Sequence, residues 1–327
     1  MRLVRRRFLL AACGLLGAPA GIRAQPATRV FRVGLLSIGT DPANFGRWGT
    51  FVDAMRKLGY VQGRNLVLLH GFAAGNFERL PKIVFDFIES KVDAIVATGT
   101  REIRAAMQAT TTIPIVMTLA ADPVKEGFIA SLARPGGNVT GLTSLIPGLA
   151  GKYVELLKEV VPAAKKFAVV AVAPNPIPEL RRELHEAAEK LGLVLDVLQA
   201  KNPTDFDHVM SAARTGGAAG IIHPLDGGTS AHRSVFVQAA LKHGLPGIYW
   251  DAAYVDAGGL MTYSINFEAQ IRRAAAIVDR ILRGARPADL PVEQPARLEL
   301  VVNLRTAKAL ALKVPQSILL RADRVIE

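Results

Sequence analysis

The residues best suited to chemistry sit where apolar runs give way to small polar ones. Thr98-Gly99-Thr100 follows the run Asp93 to Ala97 and opens a helical segment over about 101–110. Free backbone N–H groups at a helix start, with two hydroxyls beside them, suit a carboxylate or another anion. The same three residues would serve as an ordinary N-cap with a turn glycine, and their place at a strand end favours binding. Ser37 and Ile38 close the first apolar run with a weaker form of the same case. A further run, Ile113 to Met117, leads to Ala120-Ala121-Asp122-Pro123. There Ala121 and Asp122 either face a cleft or start a helix, and Asp before Pro favours the cap. For Thr143 and Ser144, ligand contact and hinge structure are equal readings.

In the second half of the chain, strand ends bring forward Ala173 to Asn175, Pro224 to Asp226 and Trp250-Asp251. From these, Asn175 and Asp226 are candidate ligand contacts, and Asp251 is the best partner for a ligand ammonium group. Trp250, Tyr249 and Trp48 can stack on an aromatic or aliphatic ligand, although an aromatic beside a strand is more often core. The six histidines show no HExxH or other tight metal-ligand spacing. His223 and His232 flank Gly227-Gly228 without making a metal site, and Asn138-Val139-Thr140 reads as loop structure. Gly151-Lys152 hints at a phosphate loop and fails, with Ile146 and Tyr153 at the positions that need Gly and Ser or Thr. No GxGxxG opens a helix and no GxSxG elbow appears. The expectation is a binding protein, not an enzyme, with no cofactor and no metal.

Two similar α/β halves would position these residues. From Phe31 to Met117 the pattern is β-α-β-α-β-α-β with short connections, which predicts a mostly parallel, doubly wound sheet. It restarts at Gly148, with helices over about 149–161, 178–191, 205–214 and 230–242 alternating with strands that end near residues 173, 198, 224 and 250. Ligands bind outside the carboxyl ends of such strands, so the two halves are expected to share a cleft. The tail differs. A turn and strand at 258–263, an amphipathic helix at 267–282 and an extended 287–295 suggest that the chain crosses between the halves again. The expected division is 29–144 plus about 264–294 in one lobe, and 145–263 plus about 295–327 in the other.

The 327 residues carry a formal net charge of +12. Five basic residues (Arg2, Arg5, Arg6, Arg7 and Arg23) precede residue 25, so the remainder carries 12 less 5, or +7. Those charges are scattered, which argues against a nucleic-acid groove. Arg5-Arg6-Arg7 followed by the apolar run from Phe8 to Ala20 reads as a signal peptide over 1–24, cleaved after Ala24. The run is too short to span a membrane. Export by the Sec or the twin-arginine route is expected, with lipid anchoring at Cys13 ranked second. Cys13 is the only cysteine, so the mature chain must rely on a core, as suits a periplasmic protein.

Several longer motifs resemble one family. They are GYVQGRN at Gly59 to Asn65, TTIPIV at Thr111 to Val116, Asp122-Pro123-Val124, and SLARPGGNVTG at Ser131 to Gly141. Further on come AGGLM at Ala257 to Met261, PADLPVEQP at Pro287 to Pro295 and LLRAD at Leu319 to Asp323. Together they resemble the substrate-binding proteins of bacterial ABC transporters, in the tryptophan/tyrosine-type subgroup, over essentially everything after the signal peptide. The resemblance implies a two-lobed type I periplasmic-binding-protein fold, each lobe a mostly parallel sheet flanked by helices. It implies three crossovers and a ligand trapped by hinge closure. It further implies a monomer that captures a small molecule, an amino acid or related carboxylate first, and delivers it to an inner-membrane ABC permease. The alternative is a periplasmic sensor that reports the same class of ligand to a membrane receptor.

Overall fold

The structure, a computed structural model, describes residues 29–39, 46–120, 122–144, 146–172, 178–224, 227–295 and 297–327. The expected signal segment lies outside them. Short aliphatic runs closed by small or polar residues form five strands: β1 (Phe31–Ser37), β2 (Leu66–Phe72), β3 (Ala94–Ala97), β4 (Ile115–Ala120) and β5 (Val139–Thr143). They make an all-parallel sheet in the order β2-β1-β3-β4-β5. Helices α1 (Gly46–Lys57), α2 (Leu80–Glu89) and α3 (Thr100–Ala109) connect the first four strands.

Strand β5 corrects the loop expected around Asn138-Val139-Thr140. Glycine there signals a close approach and not a turn. Gly141 sits at φ +130°, and a Cβ on it would lie 2.1 Å from the Met117 carbonyl oxygen of β4. The neighbouring β4 register shifts between Met117 and Ala120, the local irregularity that a β-bulge introduces.

After α4 (Leu149–Val160) the second sheet begins. Its strands are β6 (Lys166–Val172), β7 (Val194–Ala200), β8 (Ile221–His223), β9 (Gly247–Tyr249), β10 (Met261–Ile265), β11 (Leu298–Asn303) and β12 (Arg324–Ile326). Their order is β12-β11-β10-β9-β8-β6-β7, parallel except for the β10–β11 pair. Helices α5 (Pro178–Lys190), α6 (Phe206–Thr215), α7 (Arg233–Lys242) and the one-turn α8 (Ala252–Asp256) separate the strands of this half. The short α8 was not anticipated, because five residues carry too little periodicity to register.

Helix α9 (Phe267–Leu282) leaves the second sheet and packs on the first. Its apolar stripe (Ile271, Ala274, Ala275, Val278) enters one cluster with Trp48, Phe51 and Met55 of α1 and with Val33 and Leu35 of β1. Fully burying each large side chain of such a stripe contributes roughly 1.5–3 kcal/mol, so the tail is an integral part of the first lobe. Tyr60 adds a hydrogen bond to the Asp279 carboxylate at 3.0 Å.

The chain passes between the sheets three times: after β5, between β10 and α9, and between Glu293 and β11. These passages are tied together. The Thr143 N–H donates to the Glu293 carbonyl, and the Glu293 N–H donates to the Gly141 carbonyl, both at 3.0 Å. The Gln270 side chain donates to the Thr143 carbonyl at 3.3 Å. Arg273 grips the Glu293 carboxylate with two bonds of 2.6 Å. Asn266 both caps α9 through the Ala269 N–H and donates to Glu299 at 2.9 Å.

Candidate ligand-binding cleft

All strands of the first sheet share one carboxyl edge, and the crossing after β5 leaves from it. The crossing after β10 leaves from the carboxyl edge of β6, β8, β9 and β10 in the second sheet. Both edges therefore converge on the crossings. Leu119, at the end of β4, already packs against the second lobe's cluster of Trp250, Ile265 and Phe267. This convergence is the cleft that the topology defines.

On the first lobe, ladder register sets three hydroxyls in a row. Leu36 pairs with Ala97, and Ala97 pairs with Met117. One residue further along each strand come Ser37, Thr98 and Thr118. Alternation puts them on the face that carries Leu35, Val96 and Val116. Ser37 Oγ accepts from the Gly39 N–H at 3.1 Å. The Thr98 hydroxyl donates to Glu102 Oε1 at 3.1 Å. Thr118 is fully buried, and its hydroxyl has no hydrogen-bond partner among the described residues.

Glu102 changes the reading of this edge. It is the third residue of α3, 3% exposed, and its Oε1 also accepts the Ile38 N–H at 2.9 Å. Thus the Ile38 N–H and the Thr98 O–H, expected to hold a ligand carboxylate, hold a carboxylate of the chain itself. Desolvation by burial pushes the Glu102 carboxyl upward, opposed by these hydrogen bonds, its own backbone N–H and the charge of Arg101. The Arg101 guanidinium lies 4.0 Å over the Phe77 ring. Gly99 is the N-cap of α3 in an extended conformation, and a Cβ there would come within 2.7 Å of Glu102 Oε2. Thr100 begins the helix. Sequence reasoning passed over Glu102, although a Glu three residues after an N-cap is the usual acid of a capping box.

The other candidates on this lobe have structural duties. Asp122 Oδ1 accepts the Lys125 N–H at 3.1 Å, and its carbonyl accepts the Glu126 N–H at 2.9 Å. It closes a turn, and no helix follows, with Gly127 at φ +73° next along the chain. The Thr143 hydroxyl donates to the Ala120 carbonyl at 2.8 Å, and the Ser144 N–H reaches the same oxygen at 2.8 Å. Both therefore build the first crossing. Trp48 is 6% exposed, edge-on to Phe51 in the α1–α9 core. Ala121 lies outside the described residues, as do Asn175 and Asp226 in the second lobe.

In the second lobe, Trp250 is 4% exposed and stands edge-on to Phe267 at 5.3 Å. Asp251 is equally buried, and its Oδ1 caps α8 through the Ala253 N–H at 3.0 Å. The residue proposed to pair an ammonium thus spends one oxygen on a helix start. Behind it runs a buried polar chain that sequence reasoning missed. His223 Nδ1 lies 2.8 Å from the Val170 carbonyl, and Nε2 lies 2.8 Å from Thr229 Oγ1. A carbonyl only accepts, so Nδ1 carries the proton. In the neutral ring Nε2 then accepts from Thr229, and Thr229 accepts from the Tyr254 hydroxyl at 2.5 Å. The chain has one polarity and fixes the floor under β8 and β9.

A separate cavity of about 30 Å³ lies between α5 and the β6–β7 ladder, lined by Leu180, Leu184 and Val197. It is far smaller than the several hundred Å³ of a small-molecule pocket. Among the described residues no His, Cys, Asp and Glu group fits a metal ion, and no helix is long and apolar enough to cross a membrane.

Two mostly parallel sheets, joined by three crossings at facing carboxyl edges, define a two-lobed binding protein of the type I periplasmic class. More particularly, the chain belongs to the ABC transporter substrate binding protein family, whose profile matches residues 32–326. A curated relative, the tyrosine-binding protein of Clostridioides difficile, is 28% identical over 262 residues, spanning 80% of this chain and 75% of that one. The crystal structure of a conserved domain protein from Vibrio cholerae superposes with a TM-score of 0.82 at 27% identity, covering 91% of this chain and 100% of the other. An ABC domain from Streptococcus pneumoniae in complex with L-Trp gives 0.82 at 22% identity over the same shares. The family is one of substrate-binding proteins and not of enzymes, and the curated relative is named as a binding protein.

Proposed function

We propose that the chain is the exported solute-binding component of an ABC importer. It captures an amino acid, with aromatic ones favoured, between the two carboxyl edges and presents it to an inner-membrane permease. The observation that carries this reading is the polar patch of Ser37, Thr98, Glu102 and Thr118, set at the sheet edge where the lobes converge. Of these groups the Thr118 hydroxyl lacks a partner among the described residues; a buried hydroxyl left so costs free energy, and a small zwitterion has groups to satisfy it. The relative named for tyrosine supports the aromatic preference. No bond is made or broken. The work is differential affinity of the open and closed lobe arrangements for the ligand.

The test is a thermal-shift screen of purified protein, refolded to strip carried-over solute, against the twenty L-amino acids. A ligand at ~1,000 times its dissociation constant stabilises the native state by about 4 kcal/mol, a shift of several degrees at this size. L-Tyrosine, L-tryptophan or L-phenylalanine should give it, with a smaller radius of gyration in X-ray scattering. A protein that neither shifts nor compacts with any small solute is not a solute-binding component.

A further inference from the structure

The carboxylate of Glu102 is buried at the end of the first sheet. At 3% exposure it has two hydrogen bonds from its surroundings, from the Ile38 N–H and the Thr98 hydroxyl, and both fall on Oε1. It forms no ion pair among the described residues, and the neighbouring Arg101 is turned onto Phe77. Buried charges in stable proteins are paired, so this edge lacks a cation. A second observation points the same way. Thr118 lies beside Thr98 on the adjacent strand, about 5 Å away, and its buried hydroxyl has no partner among the described residues. An orphaned buried hydroxyl marks a place where something beyond the chain completes the hydrogen bonding. Gly99 lies against the Oε2 side of the carboxylate, where the Cβ of any other residue would intrude to 2.7 Å, so glycine keeps this side free of side-chain atoms of its own.

We propose that Glu102 is the residue that selects the ligand's cationic group. Its carboxylate receives a primary ammonium passing over Gly99, so the first lobe takes the amine end of the solute and turns away an anionic end. This inverts the polarity first read from Thr98-Gly99-Thr100. The helix start that would attract a carboxylate is already neutralised by one, and a second carboxylate would meet like charge at close range. The ligand class is thereby narrowed to amines and zwitterions, with plain carboxylic acids excluded. The inference rests on the solute-binding reading. It differs from a latch role for Glu102, in which the carboxylate merely ties the loop after β1 to α3.

The experiment is titration calorimetry of wild type, Glu102→Gln and Glu102→Asp with L-tyrosine, tyramine and 3-(4-hydroxyphenyl)propionate. Gln keeps an acceptor for Ile38 and Thr98, and a cooperative ligand-free melt no lower than that of wild type verifies the fold. Wild type should bind the two amines and reject the propionate. Glu102→Gln should weaken both amines by ~10–100-fold, the size of a lost charge-assisted hydrogen bond, and leave the propionate unchanged or improved. Glu102→Asp should keep the preference for amines at reduced affinity. A latch alone would weaken all three probes alike, and that result, or wild-type affinity for L-tyrosine in Glu102→Gln, overturns the inference. If the wild type binds some other solute with no cationic group, the inference falls and the solute-binding reading stands. If it binds nothing, both fall.

Discussion

Replacing Gly141 by alanine tests how tightly the first crossing is built. Two penalties combine at this position. The backbone sits at φ +130°, which an L side chain adopts at a cost of about 1–3 kcal/mol. The new Cβ would also stand 2.1 Å from the Met117 carbonyl oxygen and 2.6 Å from the Met117 nitrogen. Both are backbone atoms of β4, so no rotamer change relieves the clash. Reaching an ordinary contact of 3.4 Å requires β4 and β5 to part by 3.4 less 2.1, or 1.3 Å. That separation stretches the ladder bonds at Met117 and disturbs the bond from the Glu293 N–H to the Gly141 carbonyl. Each bond lost adds about 0.5–1.5 kcal/mol, for a total of ~3–5 kcal/mol. Calorimetry should then show a melting temperature lower by ~5–15 °C. Because Glu293 belongs to the third crossing, ligand affinity should fall as well. The control is Gly137→Ala, where a Cβ meets nothing within 4 Å and the melt should hold or rise slightly. A Gly141→Ala protein melting within ~2 °C of wild type would refute the reasoning.

Glu102 should give the ligand-free protein a characteristic pH dependence. Burial raises its folded-state pKa above 4.5, so over that interval the native state keeps a proton that the unfolded chain has released. Stability therefore falls as pH rises from about 4.5 through the folded value and levels off above it; urea midpoints across this range should flatten in Glu102→Gln and stay sloped in wild type. Thr118→Val removes a buried hydroxyl that has no partner among the described residues, so the ligand-free protein should gain ~1 kcal/mol in urea unfolding. A loss of more than that would mean the hydroxyl is satisfied after all.

Much of the fold could be read from the chain because its strands and long helices are strongly periodic. Phe267 to Leu282 has its apolar residues at helical spacing, and the helix occupies those residues. The resemblance carried by the glycine- and proline-rich motifs extended to the family itself. Strand β5 escaped because Pro135-Gly136-Gly137 and Gly141 carry turn chemistry, and only the facing strand reveals that Gly141 is there for proximity. The one-turn helix after Trp250 escaped for a related reason. Asp251 reads as a free acid until the Ala253 N–H is seen bonded to it.

The site was less legible because what a polar residue does at a strand end depends on who else reaches it. Thr98-Gly99-Thr100 offers donors, and the sequence alone leaves their acceptor open. For the Thr98 hydroxyl the acceptor is Glu102, one helical turn on and folded back over Gly99. The same acid reaches Ile38, which lies 64 residues away in the chain. A local pattern therefore named a donor, the Thr98 hydroxyl, whose acceptor is an acid of the chain itself. The glycine contributes differently as well. In a ligand-carboxylate site it would let backbone approach a bound anion, whereas here it lets the chain's own acid lie against the backbone. Reading polarity at such an edge requires both ends of each hydrogen bond. Under the proposal for Glu102, the lack of an ion-pair partner for the carboxylate among the described residues, and not the two donors that hold it, sets the charge of the ligand group it receives.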